Sequence, residues 1–159
     1  GEMDFNHFER EGRAVMVDVS GKSQTVRTAT AEGTLRVSRE VLDAIIVGTA
    51  AKGDVLGVAR VAGIMAVKRT PDLIPLCHPL PVAHAAVTFD ILEEELSVRA
   101  RCTVKLTGQT GVEMEALTGV TAALLTVYDM CKAIDRGMEL TGIHLLRKEG
   151  GKSGIYQRG

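Results

Sequence analysis

Residues 87–106 read VTFDILEEELSVRARCTVKL, and their period decides the fold. Val87, Phe89 and Ile91 alternate with Thr88 and Asp90. Further on, Leu96, Val98, Ala100, Cys102, Val104 and Leu106 alternate with Ser97, Arg99, Arg101, Thr103 and Lys105. Successive side chains of a strand point to opposite faces, so each run has one apolar face and one polar face. The acidic run Glu93–Glu95 lies between them, in the place of a turn. The stretch therefore predicts an antiparallel β-hairpin with one face on a core and the other in solvent.

Toward the C-terminus the period changes to that of a helix. Leu117, Val120, Leu124, Val127, Cys131 and Ile134 form an apolar stripe over 112–136, and Gly137 is a stop signal. Met138–Arg147 predicts a last strand. Toward the N-terminus, Thr25–Val37 is rich in Thr, Val and Leu and predicts a strand with a bulge or break at Gly33. Ser38 is suited to cap a helix carrying Val41, Leu42, Ile45 and Ile46. Gly48–Gly53 makes a loop, and Asp54 caps a second helix that Pro71 stops. This second helix is apolar nearly all round and needs cover on most sides. A chain of 159 residues can hardly supply that alone, so a partner subunit is expected. The order β-αα-ββ-α-β predicts an α+β fold, a ferredoxin-like sandwich with helices on one face of an antiparallel sheet. The expected division is an N-terminal arm (1–24), one ferredoxin-like domain (25–148) and a basic C-terminal tail (149–159).

Composition narrows the function classes. Nineteen Lys and Arg against twenty Asp and Glu leave a charge of −1, and there is no Trp. Without a basic field or stacking platforms, nucleic acid and anionic membranes are poor partners. The absence of a long uncharged apolar stretch points to a soluble, cytoplasmic protein. Cys77, Cys102 and Cys131 are odd in number and widely spaced, which suits free thiols in a reducing compartment.

Three groups of residues can carry chemistry. All four prolines fall between Pro71 and Pro81, in TPDLIPLCHPLPV (70–82), and a stiff extended segment there would frame Cys77 and His78. A plain connector whose His faces water is the competing reading. On the long helix, Asp129 and Lys132 are three residues apart and can pair, giving either a proton acceptor beside a cation or an ordinary surface ion pair. Glu115 lies fourteen residues before Asp129, roughly 21 Å along a helix at 1.5 Å per residue. Both cannot hold one atom; they would touch opposite ends of a large ligand or belong to different sites across a subunit boundary. Lysines also recur beside glycine: Lys22 in SGKS, Lys52 in AKGD, and Lys152 in EGGKSG after Lys148. Neither GKS is a phosphate-binding P-loop, because Met16 and Leu146 stand where that motif needs its first Gly. A phosphate-contacting tail competes here with solvated ends. No paired spacing of Cys and His supports a metal site.

Four runs, MVDVSGKSQTVRTA (16–29), KGDVLGVARVAGIMAVKRTPDLIPLCHPL (52–80), TGQTGVEMEALTGVTAALLTVYDMCKA (107–133) and LLRKEGGKSG (145–154), span about half the chain. Together they resemble the cyclic pyranopterin monophosphate synthase family of molybdenum cofactor biosynthesis. The resemblance implies a ferredoxin-like subunit in a homohexamer, a trimer of dimers with sites at subunit interfaces. It also implies a lyase whose small-molecule substrate is the 3′,8-cyclised dihydro-GTP, converted to the pyranopterin with release of diphosphate. Asp129 would be the acid/base residue, with Lys132 and Lys52 as catalytic partners. Leu76, Cys77, His78, Met114, Glu115, Lys148 and Lys152 would bind substrate, with Arg27, Arg69 and Thr110 as weaker assignments. No metal or other cofactor is required, although Mg²⁺ can accompany a triphosphate. A ferredoxin-like nucleotide sensor without turnover is the alternative.

Overall fold

The computed structural model describes residues 14–21, 23–152 and 154–159; readings that fall on 1–13, Lys22 or Ser153 lie outside it. The hairpin forms as its period requires: β2 (His84–Leu92) and β3 (Ser97–Gly108) pair antiparallel from His84↔Lys105 to Leu92↔Ser97. Glu93–Glu95 makes one tight 3₁₀ turn between them, closed by Leu96 in the left-handed region (φ 48°). The other edge of β3 takes β1 (Thr25–Arg36) in unbroken antiparallel register, Thr25↔Gly108 through Arg36↔Ser97. β4 (Glu139–Glu149) pairs with the far side of β1, and the short β5 (Tyr156–Gln157) folds back on β4. The spatial order is β2-β3-β1-β4-β5. β1 and β2 thus run parallel with β3 between them, the split arrangement of a ferredoxin-like α+β sandwich.

Among the described residues four α-helices accompany this sheet: α1 (Arg39–Val47), α2 (Val55–Lys68), α3 (Thr70–Leu73) and α4 (Glu113–Cys131). Ser38 caps α1 as expected, its Oγ accepting the Val41 N–H at 3.1 Å. Asp54 does the same for α2, accepting the Gly57 N–H at 3.1 Å. The core lies between sheet and α4. Ala29, Ala31 and Leu35 of β1 and Val98, Ala100, Cys102, Val104 and Leu106 of β3 are buried with Ala116, Val120, Ala123, Leu124 and Val127 of α4. Leu124 is wholly buried. Leu124→Ala is expected to lower unfolding free energy by about 2–5 kcal/mol, read from urea or thermal melting.

The structure corrects several sequence expectations. The bulge expected at Gly33 is present, but on one side only: the register with β4 shifts between Glu32 and Thr34, while the pairing with β3 runs on unbroken. The glycine serves close packing: a Cβ there would lie 2.9 Å from Ile143 Cγ1 and 3.0 Å from Leu124 Cδ1. α2 ends at Lys68, before Pro71, and the proline segment does not begin extended. Thr70–Leu73 forms its own helical turn with Pro71 in the first turn, where a missing N–H leaves no bond unmade. The non-helical stretch starts at Ile74, which is extended (φ −110°, ψ 107°), and residues 77–83 belong to no regular element. α4 stops at Cys131, with Lys132 as its C-cap, so Gly137 does not end it; the intervening residues form a separate turn. Ile134, beyond the helix end, is only half-buried, as is Leu117, which lines a surface groove beside α3. α2 is apolar nearly all round, but the chain covers only Val55, Ala59, Gly63 and Val67 fully; Val58, Val61 and Met65 remain exposed.

Candidate active site

α4 carries charged groups at both ends, and the two groups do not meet. At its C-terminal end, Asp129 Oδ1 accepts from Lys132 Nζ at 2.8 Å and Oδ2 accepts from Lys52 Nζ at 3.1 Å. Lys132 comes from one helical turn further along, the expected i,i+3 geometry. Lys52 comes from the loop before α2, seventy-seven residues earlier in the chain. One carboxylate thus holds two ammonium groups, and all three side chains remain about half exposed. Lys132, followed by Lys52, keeps the Asp129 carboxyl below the usual carboxylate range. The group offers a charged carboxylate acceptor, two donors and a surplus positive charge for a developing anion.

The N-terminal end of α4 collects most of the other candidates. Glu115 is buried and burial raises its carboxyl, with the Glu113 charge adding in the same direction. Burial likewise raises the half-buried Cys77 thiol, and the charges of Glu115 and Glu113 push it further the same way. His78 lies near enough to Asp18 to contribute weakly to holding that carboxyl low, an effect dominated by the Ser20 N–H. Lys148 Nζ, on β4, approaches Glu113 Oε1 at 3.3 Å. Arg27 Nε donates to the Gly108 carbonyl at 3.2 Å, and its guanidinium occupies the space that a Cβ on Gly151 would need. Arg27 is therefore bonded to the end of β3 and lies against the loop after β4. Met114 faces an apolar groove of about 340 Å³ shared with Leu73, Ile74, Leu117 and Leu125.

The remaining candidates are less engaged. Leu76 is half-buried in the connector after α3, and Thr110 is half-buried in the turn before α4. Arg69 closes α2 through its backbone N–H and is otherwise exposed, as is Lys152. Glu113 was not singled out by sequence, although it stands in the GVEME run; an acid in the first turn of a helix is the signal that marks it. Among the described residues, no three His, Cys, Asp or Glu side chains converge on a place for a metal ion. No described helix is long and apolar enough to cross a membrane.

A model described as the MoaC family matches residues 16–151, a span that includes both ends of α4 and nearly the whole sheet. The chain belongs to the MoaC family. Among curated MoaC-like relatives, a protein of Clostridium botulinum (strain Alaska E43 / Type E3) is 60% identical over 155 residues, covering 98% of each chain. One of Geobacter sulfurreducens is 55% identical over 156 residues, again 98% of each, and one of Cereibacter sphaeroides (strain KD131) is 58% identical over 151 residues, 95% of each. All three are named cyclic pyranopterin monophosphate synthase.

The thiols of this family member differ in what they offer to chemistry. Cys102 and Cys131 are fully buried, and burial pushes the Cys102 thiol up to about 12. The thiolate is the reactive form, so native protein treated with iodoacetamide at pH 8 should gain at most one adduct, slowly, at Cys77. Rapid labelling at two or three positions, read by intact mass, would contradict this burial.

Proposed function

We propose that this chain is a cyclic pyranopterin monophosphate synthase, a lyase of molybdenum cofactor biosynthesis. It converts (8S)-3′,8-cyclo-7,8-dihydroguanosine 5′-triphosphate to cyclic pyranopterin monophosphate and releases diphosphate. The observation that carries this reading is identity of 55–60% to curated synthases over 98% of each chain. The reaction rearranges rings and forms a cyclic phosphate without net oxidation, so it calls for proton transfers and charge stabilisation and needs no redox cofactor. Asp129 moves protons, Lys132 and Lys52 steady the negative charge that develops, and Lys148 and Lys152 attract the phosphates. Leu76, Cys77, His78, Met114 and Glu115 hold the rest of the substrate, with Arg27, Arg69 and Thr110 as secondary substrate contacts. Mg²⁺, where used, travels with the triphosphate. The setting is cytoplasmic.

The working form is a homo-oligomer, a hexamer built as a trimer of dimers. Two observations support shared sites. The charged groups at the ends of α4 stand roughly 21 Å apart at 1.5 Å per residue, too far for one reacting centre, and Val58, Val61 and Met65 leave an uncovered apolar strip on α2. A substrate lying between subunits would meet one end of α4 from each. The test is product identification by mass spectrometry after incubation with the cyclised precursor. Pyranopterin and diphosphate are the expected products; precursor returned unchanged would instead indicate a nucleotide sensor.

A further inference from the structure

Lys52 reaches Asp129 from a loop, and loop lysines are ordinarily free to wander. Here the backbone is fastened on both sides of it. Upstream, α1 is closed by Gly48 in the left-handed region (φ 82°), with the Gly48 and Thr49 N–H groups donating to the Ala44 carbonyl at 2.9 and 3.0 Å. Ala50 is then buried, and the Gly53 N–H donates back to its carbonyl at 3.0 Å, closing a turn with Lys52 at its third position. Gly53 has φ 100°, a conformation that a side chain would strain. Downstream, Val55 is buried and Asp54 caps α2 by accepting the Gly57 N–H. A Cβ on Gly57 would collide with the Asp54 carboxylate, so Gly57 leaves room for this cap.

We infer that Asp54 is a positioning residue for Lys52: by capping α2 it locks the Ala50–Gly53 turn in the one orientation that delivers the Lys52 ammonium to Asp129. Its carboxylate is committed to a backbone N–H, and it acts on the site through the turn, without contact to substrate. Asn and Ser cap helices about as well as Asp, whereas Ala does not. The inference rests on the proposed synthase reading only for its kinetic consequences, because the distance between Lys52 and Asp129 can be followed without turnover.

The test compares Asp54→Ala, Asp54→Asn and Asp54→Ser with Ser38→Ala, which removes the equivalent cap from α1 at the end opposite the Gly48–Gly53 loop. Asp54→Ala should lower kcat at least tenfold with KM little changed, and Asp54→Asn and Asp54→Ser should restore most of it. Ser38→Ala should lower the melting temperature comparably and leave kcat alone. In parallel, the Asp129 carboxyl titration followed by ¹³C NMR should move upward in Asp54→Ala, in the direction that Lys52→Ala moves it. That measurement stands even if the protein turns over nothing. Full kcat with an unmoved Asp129 titration in Asp54→Ala would overturn the inference. So would an Asp54→Asn variant as impaired as Asp54→Ala, since the carboxylate charge itself would then be what matters.

Discussion

Asp129→Asn is expected to lower kcat by about 10²–10⁴-fold, the range typical of losing a general acid or base. Lys52→Ala should also nearly abolish turnover. Neither change should disturb the fold, because the Lys52–Asp129–Lys132 cluster is half exposed and such ion pairs add little to stability. The Asp129 carboxyl is held low by Lys132 first and Lys52 second. A depressed carboxyl stays ionised throughout the neutral range and protonates only as pH falls through its lowered value, beneath the usual ~3.9. Whatever stability the charged form lends is therefore present above the unfolded-state value and is lost as pH falls through the lowered folded-state value. The acid limb of kcat that depends on Asp129 should lie equally low. In any residual activity of Lys52→Ala, it should move up toward the ordinary carboxylate range. Undiminished turnover in both variants, with circular dichroism unchanged, would remove this cluster from the mechanism.

Gly119→Val is expected to be strongly destabilising. Glycine inside a helix is normally a liability of about 1 kcal/mol relative to alanine, so replacing it in an open helix stabilises. At this position the sign reverses. α2 and α4 cross where Gly63 faces Gly119: a Cβ on Gly63 would sit 3.0 Å from the Gly119 carbonyl oxygen and 2.9 Å from Val87 Cγ2. A Cβ on Gly119 would lie 2.6 Å from Cys102 Sγ and 2.8 Å from Val67 Cγ2, and all of these neighbours are buried. The helices and the sheet beneath them would have to part. Gly119→Ala should lose about 1–3 kcal/mol by overpacking, and at roughly 2–4 °C per kcal/mol for a chain of this size its melting temperature should fall by several degrees. The branched side chain of Val should lower it further. A higher melting temperature for Gly119→Ala would mean that the two helices do not meet at these glycines.

Most of the fold was legible in particular residues. The alternation at 87–106 survives as β2 and β3, and Ser38 and Asp54 cap the helices whose starts they mark. Sequence and structure part where a breaker residue does not mark an element's end. Pro71 sits inside a new helical turn, and Gly137 lies beyond a helix that ended at Cys131. Proline and glycine restrict only their own and adjacent backbone angles, so they limit where an element can continue without saying where packing makes it stop. Within the candidate site, the pairing of Asp129 with Lys132 was readable because it is local to one helix face. Glu113 with Lys148, and Arg27 with the loops around Gly108 and Gly151, were not.

The sequence by itself determined the period of each element, the α+β order and the family, since these depend on local pattern and on long matched runs. Only the tertiary structure decided that Lys52 shares the Asp129 carboxylate with Lys132, and that Lys148 reaches Glu113 at the other end of α4. It also decided that Gly63 and Gly119 are required where two helices touch. The physical reason is common to all three. Each depends on residues distant in the chain approaching within a few ångströms, and that approach is set by sheet register and helix packing, quantities that no local window contains.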